Sequence, residues 1–281
     1  MNNSIYPCLW FDNQASEAAT FYCSIFENSS ITANNPMVTK FELEGKAIMA
    51  LNGGPMYKIS PAISLFVFCH SIDEIERIYK SLVQDGSAMM PLDTYPWSAK
   101  YGWVIDKYGM TWQLMLGENQ EEGSKIIPSL LFVNDRCGKA EQAIHYYMSI
   151  FPHSEIQNCG KYNDGEALPE VCIKFCRYAL NNQQFAAMDG PGKHNFGFNE
   201  GVSFVVECET QSEIDHYWNN LSEEGAEAQC GWLKDKFGVS WQIVPSVLST
   251  LMSDPGKADK VVAAFMKMKK FDIEQLMAAA N

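Results

Sequence analysis

One eight-residue motif occurs twice. Asp106-Lys107-Tyr108-Gly109-Met110-Thr111-Trp112-Gln113 returns as Asp235-Lys236-Phe237-Gly238-Val239-Ser240-Trp241-Gln242. Each copy ends in a glutamine, Gln113 or Gln242, four residues after a glycine. A carboxamide donates and accepts hydrogen bonds, so either glutamine can orient a polar ligand or simply satisfy backbone groups at a strand edge. Trp10, Trp103, Trp112, Trp232 and Trp241 are candidates for an aromatic ligand wall. Core packing between sheet and helix is the better reading for Trp112 and Trp241, while Trp10 and Trp103 stay open between wall and core. Pro91-Leu92-Asp93-Thr94-Tyr95-Pro96-Trp97 places Tyr95 and Trp97 on a segment with two prolines, suited to a lid or to interdomain packing. Cys8 lies in a short apolar strand, where a buried inert thiol is the simplest reading. The five histidines are scattered: His145 and His216 within helices, His70 and His153 at element ends, and His194 in the glycine-rich stretch Gly190–Phe198. No Ser/His/Asp or Cys/His set stands out.

Composition narrows the chemistry. The 281 residues are 47% hydrophobic and 20% charged, as in a globular chain with a real core. A net charge of −13 repels phosphate backbones, which argues against nucleic acid and favours a neutral or cationic ligand. No run of 18 apolar residues exists, so no membrane span is expected. The start Met1-Asn2-Asn3-Ser4-Ile5 lacks a secretory pattern, and the expected location is the cytoplasm. The nine cysteines contain no C-x-x-C pair, and all are expected to be reduced thiols.

The elements that position these residues are themselves duplicated. Phe21-Tyr22-Cys23-Ser24-Ile25-Phe26 returns as Tyr146-Tyr147-Met148-Ser149-Ile150-Phe151, and Gly102-Trp103 returns as Gly231-Trp232. The first half carries ten extra residues around Met89–Ala99. Two homologous domains are therefore expected at residues 1–120 and 126–250, joined near Gly117–Lys125, with a helical tail at 251–281. Within each half the order is strand, helix, then two or three strands, run twice. The helix at Ser16–Phe26 shows the i, i+3, i+4, i+7 spacing of an apolar face, and Ser71 with Glu74 forms a capping box for the next. In the tail, Pro255 suits a first helical turn and Asp272 a helix cap.

That rhythm resembles the paired βαβββ modules of the vicinal oxygen chelate superfamily, which includes glyoxalase I, extradiol dioxygenases and bleomycin-resistance proteins. Leu9-Trp10-Phe11-Asp12-Asn13-Gln14-Ala15, with Ala18, Ala19, Phe21, Tyr22, Ile25 and Phe26, is similar to the opening of the PhnB-like branch. Asp235 to Pro245 is similar to its close. Members of that branch often carry the label 3-demethylubiquinone 3-methyltransferase. The resemblance covers about residues 5–250 and implies an α+β fold: tandem glyoxalase-like domains, each of two βαβββ modules forming a curled mixed sheet, plus C-terminal helices. It also implies a cup built by the two modules of one domain. In metal-dependent members, side chains from the first, fourth, fifth and last strands enter that cup.

Counted strand by strand, this sequence offers only Gln113 and Gln242 at those positions, with Glu207 near the end of Gly201–Cys208 and Cys8 able to face the first cup. One neutral amide per cup does not make a divalent-ion site, so no metal is expected. No cofactor is expected either. The glycine pairs Gly53-Gly54 and Gly190-Pro191-Gly192 lead into polar loops rather than a helix, unlike an S-adenosylmethionine loop. The resulting expectation is a metal-independent small-molecule-binding protein with a hydrophobic cup. The alternative is a lyase, isomerase or dioxygenase of the superfamily using a metal in one cup. The halves should form an intramolecular pseudo-dimer, with further self-association left open, and only one cup should be open to a ligand.

Overall fold

Each strand–helix start in the sequence opens a βαβββ module. The computed structural model describes residues 3–117 and 124–281. Its first module runs β1 (Ile5–Phe11), α1 (Ala15–Ile25), β2 (Ser29–Asn34), β3 (Val38–Leu43) and β4 (Lys46–Asn52). The second has β5 (Ile63–Cys69), α2 (Ile72–Val83), β6 (Ser87–Tyr95), β7 (Ser98–Ile105) and β8 (Thr111–Leu116). The third has β9 (Ile126–Phe132), a 3-10 turn (Asn134–Arg136), α3 (Ala140–Ile150), β10 (Glu155–Lys161), β11 (Ile173–Leu180) and β12 (Gln183–Asp189). The fourth has β13 (Val202–Cys208), α4 (Gln211–Leu221), β14 (Ala226–Glu227), β15 (Trp232–Lys234) and β16 (Ser240–Pro245). The tail adds α5 (Val247–Ser253), α6 (Pro255–Phe265) and α7 (Ile273–Ala279). Most of the expected linker, residues 118–123, lies outside the described residues.

Local chemistry sets the helix starts. Ser71 Oγ accepts from the Glu74 amide, while the Glu74 carboxylate reaches back to the amide of His70. Thr210 and Glu213 close a full capping box on α4. Asp254 caps α6 with Pro255 in its first turn, and Asp272 caps α7.

The fold is α+β: two duplicated glyoxalase-like halves whose modules build two curled eight-stranded mixed sheets. One sheet has the order β14-β15-β16-β13-β1-β4-β3-β2 and the other β10-β11-β12-β9-β5-β8-β7-β6. Each sheet takes one module from each half, whereas the resemblance implied that the modules of one half share a cup. The reason is edge pairing. Within its own module β1 bonds only β4, so its other edge needs a partner, and β13 supplies it antiparallel from Ile5↔Val206 to Leu9↔Val202. In the second sheet β5 and β9 pair the same way, including Ser64↔Ser129 and Phe66↔Ile127.

The helix-bearing faces of both sheets share one core. Trp112 and Trp241 sit there fully buried, as their sequence context indicates. Trp112 stacks on Phe26 and Trp241 on Phe151, each with ring centroids 5.5 Å apart. Their indoles donate to Asp106 and Asp235 at 2.8 Å. The first residue of the repeated motif thus anchors the tryptophan near its end.

Charged contacts join the halves. Lys125 bridges Glu44 at 2.9 Å and Glu74 at 2.6 Å. Burial would raise the Glu44 carboxyl, but hydrogen bonds from Asn28 and Lys125 outweigh it and hold the group below its ordinary range. Lys46, the first residue of β4, meets Gln183, the first residue of β12, with Nζ donating to Oε1 at 3.4 Å. Each follows a two-residue turn, opposite Leu43 and Leu180 respectively, so they are equivalent positions of the two halves.

One sequence expectation needs correction. Cys159 and Cys176 form a disulfide rather than two thiols. Antiparallel pairing of β10 and β11 places them directly opposite each other, a contact that sequence spacing does not reveal. The other seven cysteines are free, and Cys8, Cys69, Cys172 and Cys208 are buried.

Candidate functional site

The faces of the sheets turned away from the main core are the cups, and each carries its own small apolar cluster. The first gathers Tyr6, Cys8, Met49 and Val205; the second gathers Phe66, Tyr101, Ile127 and Ala186. The strands alternate so that the repeated glutamine leaves the core at the last strand of its module. Gln242 enters the first cup and Gln113 the second, only 5% and 3% exposed, so both amides are read by protein neighbours rather than by bulk water.

In the first cup, Gln242 Nε2 donates to Ser203 Oγ at 2.9 Å. Cys8 adjoins both, and burial pushes its thiol up to about 12, against the opposing effect of Gln242 and Ser203. A thiol held there is protonated at neutral pH and is no nucleophile. At the rim Tyr6 donates to Glu207 at 2.6 Å and Lys40 pairs with the same carboxylate at 3.0 Å.

The second cup is more aromatic and carries a longer polar chain. Tyr101 Oη donates to Gln113 Oε1 at 2.7 Å, and Gln113 Nε2 donates to Ser64 Oγ at 2.6 Å. Burial pushes the Tyr101 hydroxyl well above its ordinary value, so it stays neutral. The Arg177 guanidinium lies 4.6 Å from the Phe68 ring centre and donates to Gln184 at 3.1 Å. Trp103, opposite Gln113 on β7, packs at the edge of this cluster. Its buried indole N–H has no hydrogen-bond partner, and the same holds for the hydroxyl of Ser129, which pairs with Ser64 across β5 and β9. Buried polar atoms are nearly always satisfied, so these two can each take a further hydrogen bond, as can the Ser240 hydroxyl opposite Ser203 on the first cup's face.

The insertion peculiar to the first half forms the β6–β7 hairpin rather than a loop. Tyr95 stacks on Trp97 at 5.1 Å, and both rings pack edge-on against Tyr101 at 5.7 and 5.8 Å. Its ring contacts are therefore within its own module, against the ring whose hydroxyl binds Gln113. Trp97 remains 53% exposed.

The candidate residues thus separate into groups. Gln113, Trp103, Tyr95 and Trp97 converge on the second cup, and Gln242 and Cys8 on the first. Trp10 follows Tyr6 and Cys8 along β1 and lies edge-on to Trp232, the partner of Gln242, at 5.8 Å and to Tyr57 at 5.0 Å, where it also borders a hollow of about 330 Å³. Its indole donates to the Gly54 carbonyl at 2.7 Å, and its ring occupies the space that a Cβ on Gly53 would need. Gly53 is thereby explained by tryptophan packing, and Gly54 by its positive φ of 83°. His194 stays in its loop, its Nε2 2.9 Å from the Pro191 carbonyl. Tyr101 was not singled out in the sequence, and Ser129 stands there only as a residue that the first strand of the second half offers to a cup. Only the cross-strand register brings them to the glutamine.

Two groups implied by relatives can be tested against these donors. A divalent ion wants several imidazole, thiolate or carboxylate ligands. The cup floors instead present amides, hydroxyls and one protonated thiol, and among the described residues no three His, Cys, Asp or Glu gather as a metal site. A methyl-donor nucleotide wants a glycine loop running into a helix N-terminus. After β4 and after β12 the chain enters irregular loops that lead to β5 and β13. Neither group fits. No helix among the described residues is long and apolar enough to cross a membrane.

A family model described as 3-demethylubiquinone-9 3-methyltransferase matches residues 3–115 and 124–244, one match per half. Among solved structures, the chain is 36% identical to a PhnB protein from Bacillus cereus, covering 40% of this chain and 98% of that one, with a TM-score of 0.38. Glyoxalase I from Zea mays is 9% identical, covers 90% of this chain and 97% of its own, and has a TM-score of 0.57, a likeness of fold alone. No curated protein matches the sequence significantly.

Proposed function

The chain belongs to the 3-demethylubiquinone-9 3-methyltransferase family, the PhnB-like branch of the vicinal oxygen chelate superfamily, and from that premise we propose that it binds a small molecule without a metal. The ligand enters the cup of the second sheet. The observation that carries this reading is the pair of orphan polar atoms, Trp103 Nε1 and Ser129 Oγ, beside the Tyr101–Gln113–Ser64 chain. An indole N–H seeks an acceptor, and Ser129 can give or take a hydrogen bond. The surrounding Phe66, Phe68 and Tyr101 favour a flat apolar body. The chemistry is that of a neutral ring compound bearing a carbonyl or hydroxyl oxygen. Tyr95 and Trp97 cover it.

The test is a thermal-shift screen of ring-bearing metabolites on protein stripped with chelator, followed by calorimetry of the hits. A hit should bind the stripped and untreated protein equally. Trp103→Phe, which keeps an aromatic ring but loses the N–H, should weaken binding about 10- to 100-fold, the worth of one buried hydrogen bond. Elemental analysis is the second arm. About one zinc, nickel or iron per chain, lost on mutating Gln113 or Gln242, would overturn the proposal in favour of a metal-dependent enzyme.

A further inference from the structure

The duplication also produces equivalent hollows between the two modules of each half, and these have diverged in chemistry. The hollow beside Trp10 is walled by Tyr57, Tyr108, Ile105 and two prolines, Pro55 and Pro61. Its counterpart in the second half, about 290 Å³, is lined by Asn134, Asp135, Arg136, Gly197, Phe198, Lys234 and Phe237. Ile105 and Lys234 are equivalent, each the last residue of its strand before the motif aspartate. Arg136 has no equivalent at all. It lies on the 3-10 turn between β9 and α3, where the first half has only Asp12, Asn13 and Gln14 between β1 and α1.

Two cations from separate elements, with the single carboxylate of Asp135, thus line one small hollow in a chain of net charge −13. Both have donors to spare. Arg136 Nη1 donates to the Lys236 carbonyl at 2.7 Å, and its Nε lies 3.5 Å from the Asp135 carboxylate. Lys234 is paired with Glu200 at 2.9 Å. A guanidinium carries five N–H groups in a planar fork and an ammonium three. The protein contacts fix both side chains and leave part of each fork free. Gly197 borders the hollow, and a Cβ there would meet nothing within 4 Å.

We infer that this hollow is a second binding site, taking a small oxyanion, a carboxylate or phosphate group, between Arg136 and Lys234. The fork geometry of arginine matches two oxygens of such a group, and lysine adds a point charge. The site is separate from the cup and does not depend on the cup having a ligand.

Titrations of the full chain with inorganic phosphate and with succinate, against sodium chloride at matched ionic strength, test it. At least one of the two anions should raise the Tm beyond the chloride control and show saturable binding. Lys234→Ile, which installs the residue of the first half, and Arg136→Gln should each weaken binding about tenfold or more, as expected for charge-assisted hydrogen bonds. Gly197→Leu, which grows into open space, should abolish it. Trp103→Phe should leave anion binding unchanged, so failure here is distinguishable from failure of the cup reading. No shift beyond chloride with either anion, or binding that survives the Arg136→Gln, Lys234→Ile double variant, overturns the inference.

Discussion

Lys46 takes an ammonium into the interior, 4% exposed, with an amide oxygen at 3.4 Å and the Phe185 ring centre at 5.4 Å. Burial pushes its pKa down to about 8 from an ordinary value of 10.5. Between those values the unfolded chain binds the proton and the folded chain does not, so stability rises with pH across that window. The gain should be roughly 2–3 kcal/mol, read as urea-unfolding free energies between pH 7 and 10. Lys46→Met should flatten that slope and raise stability at pH 7, because a methionine fills similar space without desolvating a charge. An unchanged slope in the variant would show that another group carries the titration. Glutamines in a repeated motif were legible at this scale, because repetition singles them out. The orphan state of Trp103 and Ser129 was not, because it is a property of packing that no single residue's type encodes.

Elements were legible where burial imposed a period. The apolar spacing of α1 and the cap at Ser71 were readable because each reflects a local rule. The strands β2 and β10 were not counted, since nearly every residue in them is exposed and no alternation marks them. The β6–β7 hairpin was visible as an insertion, but its conformation was not. A Trp97→Ala variant decides between lid and packing element. Trp97 is half exposed, so the stability cost should stay near 1 kcal/mol, while a cup ligand should dissociate faster in stopped-flow fluorescence. A loss of about 3 kcal/mol or more, with the dissociation rate unchanged, would make the hairpin a structural brace.

At the scale of the whole molecule, duplication was legible from ordered matches more than a hundred residues apart, but the pairing of modules was not. Sequence offsets say which segments are alike, not which edges meet. Because each sheet needs a module from both halves, neither half closes its own sheets. Residues 3–117 expressed alone should therefore associate as a twofold dimer, β1 of one copy pairing with β5 of the other, and sediment at twice the monomer mass. A folded monomer would mean that a half can cover its own edges. The Lys46–Gln183 contact shows what joining the halves in one chain permits. In a twofold dimer of identical copies, a residue at the axis faces itself, so an ammonium there would meet an ammonium and an amide an amide. A tandem chain escapes that mirror rule, and its two sides can become lock and key. Here a donor stands on one side and an acceptor on the other. The same freedom lets the first half keep an aromatic hollow while the second collects two cations in the equivalent place.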